Sequence, residues 1–471
     1  LSKESSLSKD ANLYPLRQTY LDPQDDAVWN WAQNAQIGTQ QQVKRPADEA
    51  ALRQLLRESS GKVRVTGTTY SPGRMLAVHP DDLLVDLSAL SGLIRSDAHS
   101  VTFAGATPLE QIYSTLTEMD RMLASSPGVI SVQTLAGAMA TGTHGQGLHQ
   151  SSIADEAEHI RMVLSDGSVR ELSRGDSDFP AVLVSLGVLG IVTEVTLRTQ
   201  PFRIFTCHKN AVSADSLESD LLRWNDEYEL SKAWWFVDDN FIHVWNAHQA
   251  SEEEIHHYAQ NDREVVEHAD EGDDSLNDTI DQTLEHMHRD TQIHGKGGKQ
   301  FRTVTRFRDF TDVTGDIYQL FCRGIAVPQI NVEIGVPLEK TPAVISKIKR
   351  WYADNRPHMH YPIILRCTGA SSAWLSPAFD QPTCFFGFVV YYADDGSLSE
   401  AGLHFLSEVE KLLAEEGGRP HWGKYYDASL YRWQDLYPHW ASFRALREQF
   451  DPQGRLSNDY TAALFNQFDK G

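Results

Sequence analysis

The sequence predicts an α+β protein built from more than one unit, and three features carry that expectation. The chain has 471 residues, too many for one ordinary core. Its first half mixes helical periodicity with short strands, among them a hairpin around Asp166-Gly167 and the half-buried IVTEVTLRT from Ile191 to Thr199. From Pro201 the texture changes to aromatic strands followed by an amphipathic helix from Leu398 to Gly418, which implies a second sheet with covering helices.

Composition narrows the function classes. Hydrophobic residues make up 41% and aromatic ones 10%, the balance of a folded globular chain. Lys+Arg 42 against Asp+Glu 65 leaves a net charge of −23, a field that repels nucleic acid and anionic membrane, so a small-molecule partner is expected. The longest apolar run, Pro180 to Val192, is broken by Ser185, Gly187 and Gly190 and falls short of the roughly 20 residues of a membrane helix. Cys207, Cys322, Cys367 and Cys384 show no C-x-x-C spacing and read as core thiols. The polar start at Leu1 suits a soluble protein, cytoplasmic or, if a signal segment preceded Leu1, exported. Oligomeric state is left open.

In chain order, Trp29 and Trp31 are expected to clamp the N-terminal region onto a surface. Pro46 opens a helix with Leu52, Leu55 and Leu56 on one face and Gly61 as its stop. Val63 to Thr66 is a strand, followed by a tight loop from Gly67 to Gly73. Leu83 to Leu87 and Ser100 to Ala106 are further strands, and Pro108 to Met122 is a helix. His159 to Leu164 and Ser168 to Leu172 form the hairpin, with a helix from Phe179 to Leu186 after it. Ala233 to Asn246 is strand-like, and Ser251 to Asp290 reads as an acidic insertion. Its His256, His257, His268, His286 and His288 match no ligand spacing, so a solvated face and no metal are expected. Asn277-Asp-Thr279 is a glycosylation sequon, meaningful only in a secreted chain. Gln329 to Val336, Tyr361 to Cys367 and Cys384 to Tyr392 complete the strands, and no repeat recurs.

The chemistry is concentrated in two loops. Ser125 to Gly147 holds five glycines and almost no charge, which suits backbone lying against a bound cofactor, though a corner-turning loop has the same composition. The Gly67 loop follows a strand and gathers backbone N–H groups into an anion-binding nest. Neither a Walker lysine signature nor G-x-G-x-x-G is present, so P-loop and Rossmann folds are disfavoured.

Taken in order, the Gly67 loop, SVQTLAGAMATGTHGQG, SLGVLGIVTEVTLR, Trp374-Leu-Ser-Pro377, HWGK and Asp451-Pro-x-Gly-Arg455 resemble the vanillyl-alcohol-oxidase (PCMH-type) flavoproteins, most closely the aldonolactone and alditol oxidases. The resemblance implies a two-subdomain FAD-binding domain over 1–200. It also implies an α+β substrate or cap domain with a large antiparallel sheet over 201–415, its acidic insertion near 250–298, and a C-terminal segment over 416–471 that returns to the flavin. It places Gly67, Thr68, Thr69, Tyr70 and Ser71 at the pyrophosphate. Ser131, Gln133, Thr134, Gly137, Ala138, Thr141, Gly142 and His144 would run along the cofactor, with Gly190 and Ile191 at the adenine.

Two departures from the family pattern shape the functional expectation. Tyr70 stands where many relatives attach the flavin through histidine, and no cysteine lies between Ser125 and Gly147, so dissociable FAD is expected. Relatives present Glu-x-Arg on the strand that here reads Ile364-Leu365-Arg366, so the acidic partner is missing. Lys424 and then Arg366 are the candidates to offset charge on the reduced flavin, the alternatives being a surface lysine and a structural ion pair. Glu333, His144 and His421 are the candidate bases, with a surface-facing Glu333 and a His421 that merely orients Lys424 as the plainer readings. The expected activity is oxidation of a CH–OH group in a sugar-derived alcohol or lactone, with oxygen or another acceptor reoxidising the flavin. A biosynthetic oxidase of a larger glycoside and a flavin-binding protein without turnover are the alternatives.

Overall fold

The computed structural model describes residues 26–71, 73–268, 311–322, 329–357, 359–392 and 400–466. His286, His288, the Asn277 sequon and most of the acidic insertion lie outside the described residues. Among those described, no helix is long and apolar enough to cross a membrane.

The first unit is built from two small sheets. Val43–Lys44, Leu83–Asp86 and Val63–Thr66 form a parallel three-stranded sheet. It is covered by the helix Glu49–Glu58, whose N-cap Asp48 accepts from the Ala51 N–H. Leu52 and Leu56 on that helix are fully buried beside Val63 and Val85, each contributing roughly 1.5–3 kcal/mol of burial. The second sheet is antiparallel, in the order Val169–Ser173, Ala157–Val163, Ile191–Arg198, Ser100–Ala104, Leu93–Ser96.

The expected hairpin also fastens the two sheets together. Gly167 adopts φ +81°, and Arg53 of the covering helix donates to its carbonyl at 2.9 Å. Nearby, Arg161 grips Glu49 through two nitrogens at 2.9 and 2.8 Å. Two expected helices end early for backbone reasons. Leu109–Glu118 stops before Asp120 at φ +52°, and Phe179–Leu183 stops before Leu186 and Gly187 at φ +53° and +71°.

The second unit is a nine-stranded sheet. Its order is Val266–Glu267, Val313–Gly315, Phe205–Ser213, Phe241–Gln249, Leu230–Phe236, Ile363–Thr368, Thr383–Tyr391, Gln329–Pro337, Arg419–Pro420, with every neighbouring pair antiparallel. The stretch Ala233 to Asn246 is two strands, which reverse through Val237–Asn240 with Asn240 at φ +52°. Helices Leu217–Glu227, Thr341–Asn355 and Glu400–Ala414 pack together and against strands of this sheet. The opposite face carries the site.

Ser125 to Gly147 is not loop throughout. Leu135–Thr141 is a helix, capped by the Thr134 hydroxyl and closed by Gly142 at φ +77°. The C-terminal segment returns to the first unit: Arg455 donates to the carbonyls of Leu56, Ser59, Gly61 and Ser165, while Asp451 accepts from the Arg455 and Leu456 amides. Asp451-Pro-x-Gly-Arg455 is thereby a structural fastening.

Candidate active site

A cleft opens where the strand Val63–Thr66 delivers its loop toward the helix Leu135–Thr141, with an empty volume of about 1030 Å³ including its mouth. Among the described residues the N–H groups of Thr68, Thr69, Tyr70 and Ser71 donate to no protein acceptor. Thr69 sits at φ +61°, a left-handed conformation that costs a non-glycine residue energy and collects at ligand sites. Unsatisfied amides on a strained loop are what a phosphate-bearing cofactor requires. A Cβ at Gly67 would lie 2.8 Å from Thr134 Oγ1, and one at Gly190 would lie 2.5 Å from Met162 Sδ, so both glycines permit close packing of the cleft wall.

The wall includes Gly67, Thr68, Thr69, Tyr70, Ser71, Gln133, Thr134, Gly137, Thr141, Gly190 and Ile191. Ser131, Ala138 and Gly142 are not on it. Ala138 is on the core side of its helix, fully buried, Gly142 forms the helix C-cap, and the Ser131 carbonyl is taken by the Glu110 N–H. His144 lies in a second cavity, which shares Tyr70, Ser71, Gln133 and Thr141 with the first. The two are therefore one continuous cleft, with Tyr70 at the junction, stacked on Trp31 at 4.8 Å.

The second cavity is built on sheet register. Glu333 pairs with Gly387, and Gly387 pairs with Ile364 on its other side. Because paired residues share a face, Glu333 stands two strands from Ile364 with only a glycine between them. A Cβ at Gly387 would come within 3.3 Å of Ile364 Cβ and 3.8 Å of Glu333 Oε2. Through that gap Arg366 Nη2 reaches Glu333 Oε2 at 2.7 Å. A carboxylate thus stands beside Arg366 from two strands away, and Glu333 is buried rather than surface-facing.

His144 Nε2 bonds the other Glu333 oxygen, its Nδ1 faces the Gly145 carbonyl at 3.0 Å, and its ring stacks on Phe385. Burial alone would raise the Glu333 carboxyl, but Arg366 and then His144 outweigh it and hold the group well below the usual carboxylate range. Burial pushes the His144 imidazole down, opposed by Glu333. A proton on Nε2 would be donated to Glu333 and one on Nδ1 to the Gly145 carbonyl, so the doubly protonated ring satisfies both contacts. The pair can take up one proton without moving.

HWGK runs beside the Glu333 strand: the His421 N–H donates to the Glu333 carbonyl at 2.8 Å and the Tyr425 N–H to that of Asn331 at 2.9 Å. Between them Gly423 turns the chain close to Thr141, where a Cβ would lie 3.1 Å from the His421 ring and 3.2 Å from Thr141 Oγ1. His421 Nδ1 accepts from the Gly423 N–H, and burial lowers its pKa to about 3. The ring thus braces the turn that carries Lys424, whose ammonium is depressed by burial and supported by Glu333. The donor atoms of His144, Glu333 and His421 lie within 4.8 Å of one another, yet Arg366 and Lys424 at the same cavity oppose a metal cation.

One lining residue escaped the sequence reading. Lys232 is 3% exposed, stands in register with Arg366, and donates from Nζ to the Gly128 carbonyl at 3.0 Å. Its signal was a lysine two residues before Trp234 in a strand that is otherwise apolar but for Ser231.

Comparison with known proteins accounts for this arrangement. Residues 41–173 match an FAD binding domain, and residues 195–464, more than half the chain, match the D-arabinono-1,4-lactone oxidase family. The chain belongs to the D-arabinono-1,4-lactone oxidase family. The lactone oxidase family match takes in Glu333, Arg366 and Lys424. L-gulono-1,4-lactone dehydrogenase of Mycobacterium tuberculosis is 27% identical over 454 residues, covering 92% of this chain and 98% of that one. Alditol oxidase of Streptomyces sp. is 24% identical over 444 residues, covering 93% and 99%. Among solved structures, cholesterol oxidase from Brevibacterium sterolicum superposes with a TM-score of 0.71 at 14% identity, covering 96% of this chain and 99% of that one. The architecture of this family member is the PCMH-type FAD-binding fold, and the chain is an FAD-dependent oxidoreductase.

Proposed function

We propose that this enzyme oxidises a CH–OH carbon of a sugar-derived alcohol or lactone, and that the Glu333–His144 pair accepts the hydroxyl proton. The observation that carries the reading is the Glu333 carboxylate, buried beside Arg366 and His144 in a cavity continuous with the Gly67 cleft. The Thr68 to Ser71 amides would hold the FAD phosphates, with Gly137 and Gly190 giving the cofactor close backbone approach. When bound, FAD supplies a two-electron acceptor for the hydride leaving the carbon.

The chain's own groups supply the remainder. Glu333, kept ionised by Arg366 and linked to His144, takes the hydroxyl proton, which balances loss of the hydride and leaves a carbonyl product. Lys424 offsets negative charge gained on reduction in a site where burial strengthens every electrostatic interaction. We assign FAD as dissociable because, among the described residues, the Gly67 cleft wall contains neither histidine nor cysteine and Tyr70 is engaged by Trp31. Electrons leave to oxygen or another acceptor.

The test is anaerobic mixing of the yellow holoenzyme with alditols and aldonolactones. Bleaching of the flavin by members of that panel is expected. A panel that leaves the colour untouched, with FAD still bound, would sink the reading.

A further inference from the structure

Two histidines on the nine-stranded sheet face each other away from the catalytic cleft. In the antiparallel strands Phe205–Ser213 and Phe241–Gln249, Thr206 pairs with His248 and His208 with Asn246, and paired or alternate residues share a face. The two rings therefore meet on one side of the sheet, with Nε2 of His208 3.0 Å from Nε2 of His248. Thr206 also pairs with Thr314, which brings Asp312, two residues earlier, to the same face beside His208. Neither histidine lines either cavity of the cleft.

Both rings are anchored at their far nitrogens. His208 Nδ1 bonds Asp312 Oδ2 at 2.8 Å, and His248 Nδ1 bonds the Gln249 carbonyl at 2.8 Å. Burial alone would raise the Asp312 carboxyl, but His208 and the Lys209 N–H outweigh it and keep the group ionised. A carbonyl and a carboxylate only accept, so each Nδ1 carries a proton. In two neutral rings that leaves two bare Nε2 lone pairs aimed at one another, a repulsive contact. Something positive belongs between them. A proton there makes one ring a cation, whereas a metal ion takes both lone pairs and leaves both rings neutral.

The surroundings suit the metal. Two metal–nitrogen bonds of about 2.0–2.1 Å place their nitrogens about 2.9 Å apart at a right angle and about 3.3 Å apart at the tetrahedral angle, which brackets the observed spacing. A carboxylate or carbonyl on the second ring nitrogen is the usual support of a metal-bound imidazole. The charges acting on His208 are those of Asp312 and Glu254, both acidic, whereas Arg366 and Lys424 intrude on the His144–Glu333–His421 group. The His208 and Asp312 side chains are 37% and 36% exposed, so an ion can enter from water. His268 stays outside the pair, its Nε2 bonded to Thr314 Oγ1 at 2.8 Å.

We propose that His208 and His248 bind a divalent late-transition-metal ion, of the copper, nickel and zinc class, through their two Nε2 atoms, with Asp312 as a positioning residue and water completing the coordination. The site is independent of the oxidative reading of the cleft. An ion held there ties the two strands together and stabilises the folded chain in proportion to its binding.

The test titrates untagged holoenzyme with copper(II) and follows electron paramagnetic resonance. One saturable equivalent is expected, with the nitrogen hyperfine pattern of two imidazoles. Zinc added to the same unaltered protein should displace the copper and raise Tm. The His208→Ala/His248→Ala double variant, shown to be folded by its retained flavin colour, should lose the signal. Asp312→Asn should weaken the metal by ~10–100-fold while keeping the two-nitrogen pattern, because it alters the support and not the ligands. Folded, yellow, unaltered protein that shows no saturable copper signal overturns the inference, since a pair that merely shares a proton gives none. The same two-nitrogen signal persisting in the double variant also refutes it, and an unchanged affinity in Asp312→Asn removes Asp312 from the site.

Discussion

The two halves of the cleft solve different problems with different materials. The Gly67 half is made of backbone: free amides, glycines and small hydroxyls, with Arg64 turned away into the carbonyls of Met75, Leu186 and Leu456. The Glu333 half is made of buried charge laid out largely on a sheet, where Arg366 and Glu333 meet across the intervening strand that carries Gly387. Backbone recognition tolerates change in side chains so long as the chain path survives. Recognition by buried charge fails as soon as one partner is removed, because the other is left unpaired.

That contrast can be broken by substitution, and the largest effect belongs to the charged half. Glu333→Gln keeps the shape and removes the proposed proton acceptor, so anaerobic flavin reduction should slow by ~10³-fold while FAD remains bound. A colourless Glu333→Gln protein would show that the two halves are not separable. Gly67→Val tests the other half: its side chain strikes Thr134, and FAD affinity measured by fluorescence should fall ~30-fold, with the reduction rate of the remaining holoenzyme little changed. Lys424→Ala should lower the reduction rate by at least ~10-fold. An unchanged rate removes Lys424 from the chemistry.

Proton linkage gives a smaller handle. His421 titrates at about 3 in the folded chain against a usual 6.5, so below pH 6.5 the unfolded chain binds the proton first. Stability is therefore fully present above pH 6.5 and declines as the pH falls toward 3, with a limiting slope of about 1.4 kcal/mol per pH unit. Urea unfolding at several pH values should show this slope diminished in His421→Gln. The smallest effect is expected at the junction, where Tyr70→Ala removes a stacking partner of Trp31 and should weaken FAD by ~3–10-fold. Acid precipitation of the unaltered protein should leave the flavin in the supernatant, and yellow in the pellet would show a covalent bond.

The same contrast explains what could be read from the chain alone. The Gly67 loop, the hairpin at Gly167 and the helix capped at Asp48 are local events, written in consecutive residues. The glycine-rich stretch was legible as part of a cleft wall but concealed the helix Leu135–Thr141, because its alanines and threonines read equally as loop. The partnership of Glu333 with Arg366 depends on Gly387 lying between two strands, and nothing in any one strand announces it. Lys232 was missed for the same reason: its meaning comes from Arg366 opposite and Gly128 above.

The fastening at Arg455 has a consequence for how the molecule is made. A guanidinium near the end of the chain bonds the carbonyls of Leu56 and Ser165, and Leu456 joins the apolar cluster of the first sheet. A ribosome releasing this protein from its N-terminus will have synthesised the entire cofactor-binding region long before the residues that close its floor. Until Arg455 and Leu456 arrive, that region waits with an open seam, and contacts separated by several hundred residues are the slow ones to form. Nascent chains halted shortly before Asp451 should therefore be cut by protease within the first sheet, whereas full-length chains resist.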